Sequence, residues 1–143
     1  MKLASLLLLL ATLSTGALAD TTTDQQNIEH IMRHTWERPD APLDVGPITV
    51  EGDHAVAGWT QGERGGRALL SKNDNGWRVV LCAGDSLLEP ATLRSTGLTD
   101  EVATQLSKTV AQAESALPPN RVKQFALFKG VMKVGSEHSS AAH

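Results

Sequence analysis

The chain has no tyrosine, only two phenylalanines and three tryptophans. So small an aromatic supply concentrates large apolar contacts on few residues, and Trp36, Trp59 and Trp77 are the expected core anchors. Cysteine is nearly absent too: Cys82 stands alone, which excludes an intramolecular disulfide. In an oxidising compartment a single Cys is a buried thiol, an intermolecular bridge or a soft metal ligand. Burial is the expectation, because a free Cys packs as a small hydrophobe. There is no excess of basic charge, with 13 Lys and Arg against 16 Asp and Glu. That dispersed, weakly acidic balance argues against nucleic acid or anionic lipid as the main partner.

One long apolar run is present, at the start. Lys2 precedes the leucine-rich segment Leu3 to Ala11, Thr15-Gly16 breaks it, and Ala17-Leu18-Ala19 has the small-x-small form of a cleavage site. The run is short of the ~20 apolar residues that span a bilayer. Residues 1–19 are therefore expected to be a secretory signal peptide, cleaved before Asp20, with a periplasmic product and no membrane insertion after cleavage. Removing them from the 143 residues leaves 124, the size of one domain, and Lys2 goes with them, taking the net charge from −3 to −4. The expected divisions are the leader 1–19, a single α+β domain over 20–134, and a mobile polar tail over 135–143.

Within that domain, Thr23 and Gln26 have capping-box spacing. Ile28, Ile31, Met32 and Thr35 then share one helical stripe, and Pro39 ends the helix near Trp36 or Glu37. Arg38 to Pro47 reads as an extended connection. Four strand patterns follow, at Ile48–Val50, His54–Thr60, Arg67–Lys72 and Trp77–Cys82. In the second, Ala55, Ala57 and Trp59 share one face and Val56 takes the other. Gln61 to Gly66 reads as a loop, and Asn75-Gly76 as a tight type I′ hairpin turn. Connections this short require antiparallel neighbours, so the sheet is a meander. Ser86 to Arg94 suggests short helical turns. Thr99 caps a helix with Val102, Leu106, Val110, Ala113 and Leu117 at turn spacing, stopped by Pro118-Pro119. Phe125 to Val134 supports either a final edge strand or a helix through Phe128. The fold class is α+β: an N-terminal helix, a four-stranded antiparallel meander, C-terminal helices and one further edge strand on the first of those alternatives.

Two sets of side chains could hold a metal. His30 and His34 stand at i and i+4 on one helix face, a chelating spacing; the bland alternative is two solvated histidines. Met132, His138 and His143 form the second set, since thioether suits Cu(I) and imidazole suits Cu, Zn or Ni. Its bland alternative is a core Met and two incidental tail histidines. Gly62-Glu63-Arg64-Gly65-Gly66-Arg67 lacks the Gly-Lys-Ser/Thr ending of a phosphate loop and reads better as a hairpin. Asp53, His54 and Asp85 could form an acid/base set, but no nucleophile motif such as Gly-x-Ser-x-Gly accompanies them.

The residues Trp36-Glu37-Arg38-Pro39-Asp40-Ala41-Pro42-Leu43, Val45-Gly46-Pro47 and Ala57-Gly58-Trp59-Thr60-Gln61-Gly62 carry a family likeness. Gly65-Gly66-Arg67-Ala68-Leu69-Leu70, Trp77, Leu81-Cys82-Ala83-Gly84-Asp85 and Phe125 to His143 extend it. Together they resemble the copper uptake system-associated proteins of bacteria, over nearly all of the chain after the leader. The resemblance implies a small exported protein associated with periplasmic copper uptake, with no established enzyme activity and no defined ligand set. The family's His-rich C-terminus is represented here by His138 and His143. The expected function is a non-enzymatic, monomeric periplasmic accessory that binds or helps deliver copper. Its expected partners are the copper ion and periplasmic or inner-membrane uptake proteins. The alternative is a periplasmic interaction module, inhibitor-like or chaperone-like, that binds no metal.

Overall fold

A computed structural model describes residues 16–135, with side chains from Asp20 onward. The chain runs α1 (Gly16–Trp36), β1 (Asp44–Glu51), β2 (His54–Gln61), β3 (Arg64–Asn73), β4 (Gly76–Ala83), a 3-10 turn (Asp85–Leu88), α2 (Pro90–Ser95), α3 (Asp100–Ser115), α4 (Pro119–Phe125) and β5 (Val131–Lys133). The fold is α+β. Its sheet is antiparallel in the order β1-β2-β3-β4-β5, a meander whose last member is a short edge strand.

Each sheet face has its own helical cover, and side-chain alternation assigns the residues. Ala55 and Ala57 on β2, Ala68 and Leu70 on β3, and Trp77 and Val79 on β4 pack with Ile28 and Met32 of α1. Small residues at the centre of the sheet let the helix approach, and Ile28 and Met32 are 0% and 1% exposed. On the opposite face Val56, Leu69 and Leu81 meet Leu93 of α2 and Ala103, Leu106 and Val110 of α3. Thr99 caps α3 as expected, its Oγ1 accepting from the Val102 amide at 3.3 Å.

Several expectations are corrected by particular contacts. The chain is helical from Gly16, the first described residue, through Thr23, so Thr23 is not an N-cap in this chain. The expected leader, 1–19, otherwise lies outside the described residues. The first strand begins at Asp44 and carries Pro47, tolerated because β1 is an edge strand whose register shifts between Val45 and Ile48. Gly65 and Gly66 belong to β3 and not to a loop. A Cβ on Gly65 would lie 2.5 Å from the Gln124 carbonyl oxygen, and one on Gly58 would lie 2.5 Å from Phe125 Cζ. These glycines thus open the sheet surface for α4. The β3–β4 turn is Asp74-Asn75, since Asn73 pairs with Gly76. Among the described residues, none other than glycine has positive φ, which excludes a type I′ turn. Within this hairpin turn only Gly76 has positive φ, at 100°, in the manner of a turn followed by a glycine bulge. After Pro118 the chain forms a further helix, α4, that ends at Phe125 and not at Phe128, and the edge-strand alternative holds as β5.

Candidate functional site

The end of α1 and the connection after it are fastened to the sheet by Gln61. Its Nε2 donates to the carbonyls of Trp36 and Ala41, each at 2.9 Å. Glu37 Oε2 accepts from the Leu43 amide at 2.9 Å. Between this corner and the β4–β5 edge lies a cavity of about 280 Å³. Trp36, Leu43, Trp59 and Phe128 form its apolar wall, with Arg38, Gln61 and Arg64 also contributing. Trp59 and Phe128 meet edge to face with ring centroids 6.0 Å apart. The remaining lining residues are Met32, Cys82 and Met132.

Cys82 reaches this cavity because of a register shift. Strict alternation from Trp77 and Val79 would turn Cys82 to the other sheet face. The pairing slips between Leu69 and Leu70, so that Leu69 faces Leu81 while Leu70 faces Val79. The parity of β4 changes there: Leu81 joins the α2/α3 side and Cys82 joins Met32 on the α1 side. Cys82 is 4% exposed, and burial pushes its thiol pKa up to about 11. Met132 is its direct cross-strand partner and is 46% exposed.

His30 and His34 lie on the solvent side of the same helix, with ring centroids 6.1 Å apart. They border a shallow groove with Arg33, Glu37, Pro39 and Pro42. Arg33 is engaged along the helix by Glu29 at 3.0 Å and Glu37 at 3.6 Å. An ion about 2 Å from each imidazole nitrogen sits roughly 3 Å from each ring centroid, so a wide N–metal–N angle fits this pair. No cluster of three His, Cys, Asp or Glu side chains able to hold a metal occurs among the described residues. Of the expected site residues, His30 and His34 therefore share one groove while Met132 lines a different cavity. His138 and His143 lie outside the described residues. Asp53 and His54 sit at the β1–β2 hairpin, whereas Asp85 follows the far end of β4, so no acid/base set is assembled.

A second polar feature went unread in the sequence. Arg67, on β3, is fully buried. Its Nε and NH2 donate to the Glu114 carboxylate at 2.7 and 2.6 Å, and NH1 donates to Asp85 Oδ1 at 3.1 Å. Phe125 is flanked by two guanidinium groups, with Arg67 5.5 Å and Arg121 5.1 Å from its ring centroid. Burial alone would lower the Arg67 pKa; the hydrogen bonds and charge of Glu114, then of Asp85, outweigh it and hold the pKa above its ordinary value. All three guanidinium nitrogens are thus engaged by carboxylates, and a guanidinium carries no acceptor with which to act as a base, so the arrangement is structural. The available signal was Glu114 itself, one turn after Val110 on the apolar stripe of α3.

No protein-family model, curated protein or solved structure matches the chain. No helix among the described residues is long and apolar enough to cross a membrane.

Proposed function

We propose that this protein is an exported, non-enzymatic accessory of bacterial copper uptake that binds copper in the periplasm. The observation that carries the reading is the His30–His34 pair, two exposed imidazoles 6.1 Å apart on one rigid helix. Imidazole nitrogens are good ligands for Cu(II), and an open pair leaves coordination positions for water or a delivering partner. Two ligands make a modest site, suited to transfer more than to storage. Cleavage before Asp20, recovered as the N-terminus of the exported protein, belongs to the same reading.

The test is a calorimetric Cu(II) titration at pH 7.5 of the wild type and of the double variant His30→Ala, His34→Ala. The expected result is binding by the wild type that the double substitution weakens by at least ~10-fold. A wild type that binds neither Cu(II) nor Cu(I) sinks the copper reading. The interaction-module reading then takes over, favoured by the exposed apolar trio Leu127, Val131 and Met132 at the C-terminal sheet edge.

A further inference from the structure

The chain holds four sulfur-bearing residues, three methionines and one cysteine. Three of them, from α1, β4 and β5, line the same cavity. Met32 and Cys82 are buried and by themselves would pass for ordinary core. Met132 would not: a side chain 46% exposed on an edge strand gains little from packing. Cys82 and Met132 are direct register partners, and side chains so placed leave their strands about 4.5–5.5 Å apart at Cβ, pointing the same way. That way is toward α1, because Cys82 packs in the cluster that contains Met32. Two thioethers and one thiol thus line one largely apolar chamber, with Met132 on its exposed side.

We propose that this cavity is a Cu(I) site whose ligands are Met32 Sδ, Cys82 Sγ and Met132 Sδ. The inference rests on the copper reading above and adds to it a second site and an oxidation state. Charge accounting supports a monovalent soft ion. Binding breaks the Cys82 S–H bond and forms S–Cu(I), the proton leaves to solvent, and no electron is transferred. The thiolate and the cuprous ion then cancel, so no net charge is buried in the apolar chamber. A divalent ion would leave one positive charge uncompensated there, with Arg38 and Arg64 also in the lining. Thioethers favour Cu(I) and are poor ligands for hard cations such as Ca(II) or Mg(II). Trp59, in the same wall, has a buried Nε1 with no hydrogen-bond partner among the described residues. A buried donor without an acceptor is costly. Entry and exit pass Met132, on a strand held by three register pairs at the edge of the sheet.

The experiment is anaerobic titration of the purified protein with Cu(I) in competition with a chromophoric Cu(I) chelator, followed by X-ray absorption of the loaded protein. One equivalent and a first shell of sulfur alone are expected. Losing even an outer-shell partner typically costs 10–100-fold in metal affinity, and a direct ligand at least as much, so Cys82→Ala should weaken Cu(I) by at least ~100-fold and Met132→Leu by at least ~10-fold. The substitutions His30→Ala and His34→Ala should leave Cu(I) affinity unchanged. Met132→Leu keeps the volume of a half-exposed side chain and preserves the fold, so it decides the matter even if Cys82→Ala is poorly folded. Unchanged Cu(I) affinity in Met132→Leu, or nitrogen in the first shell, overturns the site. If the wild type binds Cu(II) through the histidines and no Cu(I), this inference fails while the copper reading stands. If it binds neither ion, both fail.

Discussion

Replacing Glu114 by alanine removes both short hydrogen bonds of a guanidinium that has no access to water. Arg67 is 0% exposed, and two of its three hydrogen bonds end on Glu114. The third goes to Asp85, whose side chain is 70% exposed and whose attraction is screened by solvent. Phe125 offers a ring face at 5.5 Å but cannot accept in the plane of the guanidinium. Breaking a buried pair from one side costs about 3–5 kcal/mol, because the remaining charge stays buried without compensation. For a domain of this size 1 kcal/mol moves Tm by about 3–5 °C, so Glu114→Ala should melt about 10–20 °C below the wild type by calorimetry or circular dichroism. Asp85→Asn should cost no more than about 1 kcal/mol, as for other exposed pairs. The sharper control is the double variant Arg67→Met, Glu114→Leu, which removes both charges and keeps apolar volume. It should recover most of the stability lost in Glu114→Ala. A Glu114→Ala melting temperature within about 2 °C of wild type, or a double variant less stable than the single one, would show that Arg67 is not held as described.

Asp24 accepts from Trp77 Nε1 and from Lys72 Nζ, each at 2.9 Å, and so ties α1 to β3 and β4. Burial would raise its pKa; the hydrogen bonds from Trp77 and Lys72, with the charge of Lys72, bring it below the ordinary 3.8. A depressed carboxylate contributes stability that is present above 3.8 and lost as pH falls through the folded value. Asp24→Asn should therefore destabilise at pH 7 and show a flatter stability profile through that acid window. A profile parallel to the wild type would count against the contact. Cys82, with its thiol pushed up to about 11, has about one thiol in 1000 ionised at pH 8, so the native metal-free protein should label at least ~100-fold more slowly than a free thiol. Fast labelling, or a covalent dimer dissolved by reductant, contradicts the burial. Gly76→Val should cost about 1–3 kcal/mol in chemical denaturation, because its backbone sits at φ 100°. An unchanged midpoint would mean that the turn rearranges at no cost.

The local elements were legible because each is encoded by its own neighbours. The apolar stripe of α1, the Thr99 cap, the alternation in β2 and the short connections that force a meander all act within a few residues. Burial of Cys82 was likewise readable from composition, since a lone thiol in an apolar strand has nowhere better to go. What the tertiary structure alone decided involves partners far apart or changes of parity. The hairpin at Asp74-Asn75 differs from its sequence signature by one residue, and only the pairing of Asn73 with Gly76 fixes it. Gly65 and Gly66 look like loop residues until α4, some sixty positions later, is laid on the strand that carries them. Arg67 and Glu114 are 47 residues apart, and their pairing depends on α3 lying across the sheet face beside β1 and β2, from where the Glu114 side chain reaches β3. The sulfur-lined cavity depends on two such events. A slip in the β3–β4 register turns Cys82 toward α1, and an edge strand fifty residues further along sets Met132 beside it. Alternation in sequence assigns side chains to faces only while the register holds, so a single bulge is enough to place a side chain where the pattern denies it.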